Sequence, residues 1–233
     1  MTAQERINAY WTGRAPAYDA YQQRPERLAD DQRAWSEVWA AALPPAPLDV
    51  LDVGTGSGQV AMVLAGLGHR VTGIDLADGM LERARQHAAT VPAGPTFTRG
   101  DAVAPDFPPG SFDAVTSRYL MWTLREPEVA VANWARLLRP GGTVAVVDSP
   151  WFPDGLENAA EDFAGYYDTE VRAALPLATA TSIDQTAAVL ERAGLREVTV
   201  TPLTSIYDLD RRHGVAPGHE LQMQYLVTGR ARG

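Results

Sequence analysis

Three carboxylates stand where they could do chemistry. Asp52 lies two residues before Gly54 in LDVGTGSG, Asp75 closes the run RVTGID, and Asp101 follows Gly100 in RGDA. Gly54, Gly56 and Gly58 alternate just beyond Asp52. A glycine loop of this kind lets a ligand approach bare backbone. The phosphate loop G-x-x-x-x-G-K-[ST] is excluded, because all 20 basic residues are arginine. Gly56, Gly58 and Ala61 do satisfy a relaxed dinucleotide fingerprint, with Asp75 19 residues beyond Gly56. Asp52 argues against that reading, since a carboxylate beside the loop suits a cationic amino group and repels a pyrophosphate. Asp75 can accept both hydroxyls of a ribose, and Asp101 the amino group of a nucleobase. An amino acid, a ribose and an adenine match the three in order, and S-adenosylmethionine joins them in one molecule.

These residues need a scaffold that brings them to one edge. From residue 48 onward, short apolar runs alternate with helical segments. Strands are expected at 48–54, 70–75, 96–102, 112–118 and 143–148, and helices follow the first two. After the fourth strand, EPEVAVANWARLLRPGG reads as a helix stopped by Pro140 and Gly141. Such alternation predicts an α/β fold: a three-layer, doubly wound, mostly parallel seven-stranded sheet. SIDQTAAVLERAGL reads as a helix capped by Ser182. REVTVTPL and HELQMQYLVTGR then read as two strands joined by a loop, paired antiparallel at a sheet edge. One domain, 1–233, is expected, with a helical N-terminal cap (1–43), a cofactor-binding core (48–148), a cap insertion (149–181) and a C-terminal part of the core (182–233).

Composition narrows the partners. A net charge of −9 disfavours nucleic acid. No cysteine is present, which removes disulfides, thiolate metal sites and cysteine nucleophiles, and no metal site is expected. No apolar run approaches the roughly 20 residues of a membrane span, so no membrane partner and a cytoplasmic location are expected. The oligomeric state stays open.

The motifs LDVGTGSG, GIDLADGMLERAR, GDA, FDAV and LLRPGGTVAVVD, in this order and spacing, resemble those of the class I S-adenosylmethionine-dependent methyltransferases. RAPAYD is also similar to an element preceding the core in many small-molecule members. The resemblance implies cofactor contacts from Gly54 and Gly56 to the methionine part, Asp75 to the ribose, Met80 to the adenine face, and Asp101 with Ala102 to the adenine edge. It implies that the Arg118 carbonyl takes the amino group, that Tyr18 closes over the sulfonium side, and that Asp52 gives electrostatic support. Tyr10, Trp11, Trp122, Trp151, Phe152, Tyr166 and Tyr167 suit a flat or apolar acceptor, with Tyr18, Arg118 or Tyr119 orienting it.

A general base is not evident: His69, His87, His213 and His219 all lie away from the fourth and fifth strands. The expected activity is therefore methyl transfer, mainly by proximity, to a small aromatic or heteroaromatic molecule that needs little deprotonation. N-methylation is favoured slightly over O-methylation, and a place in specialised metabolism is expected. Three alternatives stay open: a non-methyl-transferring enzyme using the same cofactor, an NAD-dependent oxidoreductase, and a noncatalytic regulatory binder.

Overall fold

The structure is a computed structural model that describes residues 1–152, 161–215 and 220–232, with backbone alone at 161 and 162. Its strands are β1 (Asp49–Val53), β2 (Arg70–Asp75), β3 (Thr96–Arg99), β4 (Phe112–Arg118), β5 (Leu138–Asp148), β6 (Arg196–Pro202) and β7 (Tyr225–Arg230). Together they form one seven-stranded sheet in the order β3-β2-β1-β4-β5-β7-β6. The first five are parallel, and β7 runs antiparallel to both β5 and β6. The antiparallel pair thus closes one edge.

Both faces of the sheet are covered, which is why β1, β4 and β5 read as nearly continuous apolar runs. On one face α5 (Pro127–Leu137) and α8 (Asp184–Arg192) bury Trp134, Leu137 and Leu190 against Leu51, Val115 and Val144. On the other, α2 (Pro25–Ala42) and α3 (Gln59–Gly66) bury Trp35, Trp39 and Leu64 against Val50, Ala114 and Ala145. α4 (Asp78–Ala88) follows β2, and α1 (Ala3–Gln22) lies across it. Gly79 permits that crossing, because a Cβ there would stand 2.6 Å from the Thr12 carbonyl oxygen. Thr2 and Glu5 open α1 with a reciprocal capping box.

Three local expectations are corrected. The segment before the last strand is not a loop: α9 (Thr204–His213) fills it, burying Ile206 and Leu209 against the α2 side of the sheet. The helix after β4 ends at Leu137, not at Pro140, because Leu138 already pairs with Phe112 before the ladder shifts to Ala114 and Thr143. Ser182 is not the N-cap of α8. Ile183 holds that place, and the Ser182 hydroxyl accepts from the Asp184 N–H at 3.2 Å.

In the inserted cap, α6 (Glu161–Tyr166) and α7 (Thr169–Ala173) join the N-terminus of α1. Phe163, Tyr167, Val171 and Leu175 form a small core with Ile7 and Trp122. Arg6 ties the same two parts through Asp168 at 2.6 Å and Glu170 at 2.5 Å. No helix among the described residues is long and apolar enough to cross a membrane.

Candidate active site

Parallel strands point the same way, so their carboxyl ends share one edge. In this sheet β1 and β4 lie side by side while their connections run to opposite flanks, which leaves a crevice at the carboxyl ends. A cavity of 430 Å³ occupies it, roofed by α1 and α2. Gly54, Gly56, Asp75, Met80, Asp101, Ala102 and Arg118 line it, and so do Tyr10, Trp11, Tyr18, Tyr119, Trp122, Trp151 and Phe152.

The glycine loop is built by backbone conformation. Gly54 and Gly56 have φ of +63° and +56°, a region that side chains with a Cβ rarely adopt. A Cβ on Gly54 would stand 2.7 Å from Leu120 Cδ1, whereas beside Gly56 there is open space. Asp75 anchors the loop, its Oδ2 accepting from the Gly56 N–H at 2.9 Å and its Oδ1 from the Ala77 N–H at 2.8 Å. An ionised carboxylate has about four lone-pair sites, so Asp75 keeps acceptor capacity for a ligand. Burial pushes its pKa up, and the N–H groups of Ala77, Gly56 and Leu76 oppose that. Asp101 holds the Val103 N–H at 2.9 Å, and Met80 is buried beside Ala15, Ala77 and the ring of Tyr18.

Asp52 takes a different position from the one expected. It does not line the cavity; its oxygens accept from the Thr55 hydroxyl at 2.6 Å and the Thr116 hydroxyl at 2.9 Å, and it is 1% exposed. Burial pushes its pKa up to about 6, with the two hydroxyls pulling the other way. Its role is to brace the loop from below. Tyr166 and Tyr167 also lie away from the cavity. Tyr166 is on the surface, 5.7 Å between ring centroids from Tyr10. Tyr167 is fully buried, stacked on Phe163 at 4.2 Å, and its hydroxyl accepts from Trp11 Nε1 at 3.0 Å. It supports the wall without facing the cavity.

Arg118 is clamped, its guanidinium 4.7 Å above the Trp35 ring and 4.8 Å from the Tyr119 ring, with Gln59 accepting a hydrogen bond. Tyr119 has φ of +61°, which is costly for a bulky residue. Burial pushes its phenol pKa strongly upward, so it keeps its proton and is no general base. Among the described residues no histidine lines the cavity. His87 pairs with Asp19 at 2.8 Å, His213 lies 3.4 Å from Asp30, and His69 is buried at the start of β2. His219 lies outside the described residues.

Sequence reasoning missed Trp35 and a polar group at the cavity: Arg27, Asp31, Asp210 and Gln224. The Arg27–Asp31 spacing of four residues on a helical segment was a signal for half of it. No local signal joined those two to the C-terminal part of the chain.

The sheet order, the crevice and the glycine–Asp75 anchor define a Rossmann-like nucleoside-binding enzyme class. Residues 51–146 match a family described as a methyltransferase domain. The chain is 36% identical over 143 residues to the demethylmenaquinone methyltransferase of Thermus thermophilus, covering 60% of this chain and 64% of that one. That match spans less than two thirds of the relative's length. It is 29% identical over 223 residues to the ubiquinone biosynthesis O-methyltransferase of Thiobacillus denitrificans, covering 88% of each. Among solved structures, phosphoethanolamine N-methyltransferase 2 of Haemonchus contortus shares the fold with a TM-score of 0.61, at 18% identity over 91% of this chain and 54% of that one. Residues 51–146 are thus similar in sequence to methyltransferase domains, within a fold that solved methyltransferases share.

Proposed function

We propose that the protein transfers a methyl group from S-adenosylmethionine to a small aromatic or heteroaromatic acceptor, at nitrogen in preference to oxygen. One observation carries the reading: a single cavity is lined both by carboxylates with bare glycine backbone and by Trp11, Trp122, Trp151 and Phe152. The residues present fit the cofactor. Asp75 has acceptor capacity for ribose hydroxyls, the space beside Gly56 admits the methionine part, Asp101 and Ala102 suit the adenine edge, and buried Met80 suits its face. Tyr18, packed against Met80, suits closure over the sulfonium, and the Arg118 carbonyl suits the amino group. The bound cofactor supplies an electrophilic methyl on a positively charged sulfur.

With an activated donor, the protein's part is alignment and exclusion of water. Orientation of two reactants contributes on the order of 7–11 kcal/mol in favourable cases. The aromatic walls give an apolar seat for a flat acceptor, bounded by the clamped Arg118 and Tyr119. The absence of a lining histidine among the described residues favours an acceptor that needs little deprotonation, which is why nitrogen is placed first.

Calorimetric titration of S-adenosylmethionine, S-adenosylhomocysteine and NADH tests the cofactor, on the wild type and on Asp75→Ala. Both sulfur ligands should bind and NADH should not. Asp75→Ala should weaken binding about 10- to 100-fold, the worth of charge-assisted hydrogen bonds. NADH binding in their place would overturn the assignment. Formation of S-adenosylhomocysteine with an aromatic acceptor panel separates methyl transfer from a non-methylating use of the same cofactor.

A further inference from the structure

We propose that the α2–α9 end of the cavity is a hydrogen-bond-accepting wall, which receives a hydroxyl or N–H group of the acceptor on Tyr119. The inference rests on the methyl-transfer reading and adds the substrate class: a flat molecule bearing a hydrogen-bond donor away from the reacting atom.

The argument follows the direction of each hydrogen bond. Arg27 can only donate. Its Nε reaches Asp31 Oδ2 at 2.7 Å, its Nη2 reaches Asp210 Oδ1 at 2.7 Å, and its Nη1 reaches the Gly214 carbonyl at 3.2 Å. All three nitrogens are thereby engaged. The side chains of Arg27, Asp31 and Asp210 are 7%, 7% and 9% exposed. Asp210, paired with Arg27 at one oxygen, presents its other oxygen to Gln224 Nε2 at 2.8 Å. A carboxylate cannot donate, so this contact fixes the amide: the Gln224 nitrogen faces Asp210 and its carbonyl oxygen faces Tyr119.

Tyr119 must then donate its O–H to Gln224 Oε1 at 2.5 Å. A phenol has one proton, and this one is committed. What the Tyr119 oxygen has left are lone pairs. Asp31 Oδ1, buried without a hydrogen-bond partner, lies behind this wall and supplies no competing donor. Both residues line the cavity, as do Asp210 and Gln224. A ligand that brings a donor meets the Tyr119 lone pairs with a proton; one that brings only a carbonyl or ether oxygen meets lone pairs with lone pairs. Such mismatches are the strongest source of discrimination available to a buried site.

The test compares 1-naphthol with 1-methoxynaphthalene, titrated calorimetrically into protein saturated with S-adenosylhomocysteine. Wild type should favour the naphthol by about tenfold or more, as expected for one buried hydrogen bond and a relieved mismatch. Tyr119→Phe, which removes only the hydroxyl, should bring the ratio down several-fold while leaving S-adenosylhomocysteine affinity in place. Asp210→Asn should go further. Its amide can donate to Gln224, which flips that amide and frees the Tyr119 proton to point into the cavity, so methoxynaphthalene should gain. Where Asp210→Asn fails to fold, as circular dichroism would show, Tyr119→Phe decides. Equal affinity of the wild type for the two probes, binding of neither, or an unchanged ratio in Tyr119→Phe overturns the inference alone. Failure of S-adenosylhomocysteine to bind overturns the methyl-transfer reading and this inference with it.

Discussion

Replacing Asp148 by asparagine should stabilise the protein at alkaline pH and flatten its pH dependence. Asp148 ends β5 and is 1% exposed. Its Oδ1 accepts from the Ser149 N–H at 2.9 Å and from the Trp151 indole, while Oδ2 is buried with no hydrogen-bond partner. Burial pushes its pKa from 3.8 to about 7, against the pull of the Ser149 N–H, the Trp151 indole and the nearby N–H groups of Trp122 and Met121. The folded value is the higher one, so between 3.8 and about 7 the folded chain binds more protons than the unfolded chain. Stability from this group therefore rises as pH falls through about 7, and its full cost is felt above that. At 1.36 kcal/mol per pH unit the full cost is on the order of 4 kcal/mol, of which about 2 kcal/mol is recovered between pH 8 and pH 5.5. Asp52, at about 6, acts with the same sign. Buried His69, with its pKa lowered by burial, acts oppositely, losing stability as pH falls through its unfolded value of 6.5. Both cancel when wild type and variant are compared at the same two pH values. Asparagine keeps the oxygen that Ser149 and Trp151 use and removes the charge. Urea unfolding followed by tryptophan fluorescence should show a wild-type gain on acidification exceeding that of Asp148→Asn by about 2 kcal/mol. Equal gains, or a variant less stable than wild type at pH 8, would refute the reasoning.

Two further substitutions test the frame around the cavity. Arg27→Ala leaves Asp31 and Asp210 buried without their cation, and removing one partner of a buried ion pair costs about 3–5 kcal/mol; a comparable loss in urea unfolding is expected, and a loss under 1 kcal/mol would mean that the network is solvated. Gly54→Ala forces a Cβ to 2.7 Å from Leu120 Cδ1 at φ of +63°. Calorimetry should show S-adenosylhomocysteine affinity falling at least about tenfold, the worth of one hydrogen bond lost as the loop shifts away from Leu120, and unchanged affinity would remove Gly54 from the site.

The parts of this molecule that sequence made legible are those that local physics determines. β2 and β4 were read at the bounds they have, 70–75 and 112–118, because strands buried on both faces are short apolar runs with polar ends. Gly54, Gly56, Asp75 and Asp101 were legible for a related reason: parallel strands align their carboxyl ends, so loop residues after successive strands share one crevice. α9 carries a sequence signal of its own, since Leu203, Ile206 and Leu209 recur every three residues between the last strands. Tyr166 and Tyr167 show the limit of reading aromatics by composition. Adjacent residues on α6 and its end face different surroundings, one solvent and one a core, and neither the cavity.

The polar wall lay beyond local reading for a stronger reason. Its chemistry belongs to no single residue: Gln224 is oriented by Asp210, Asp210 is held by Arg27, and Tyr119 takes its direction from Gln224. These side chains come from α2, the turn after β4, α9 and the segment before β7, and they meet only because the antiparallel return of β7 brings the C-terminal part beside β5. The cofactor end is set by strand geometry, which a sequence pattern can encode. On the proposed reading the acceptor end is set by hydrogen-bond directions anchored on one buried arginine, so a single isosteric change, Asp210→Asn, should reverse what the cavity accepts while the sheet and the glycine loop stay as they are.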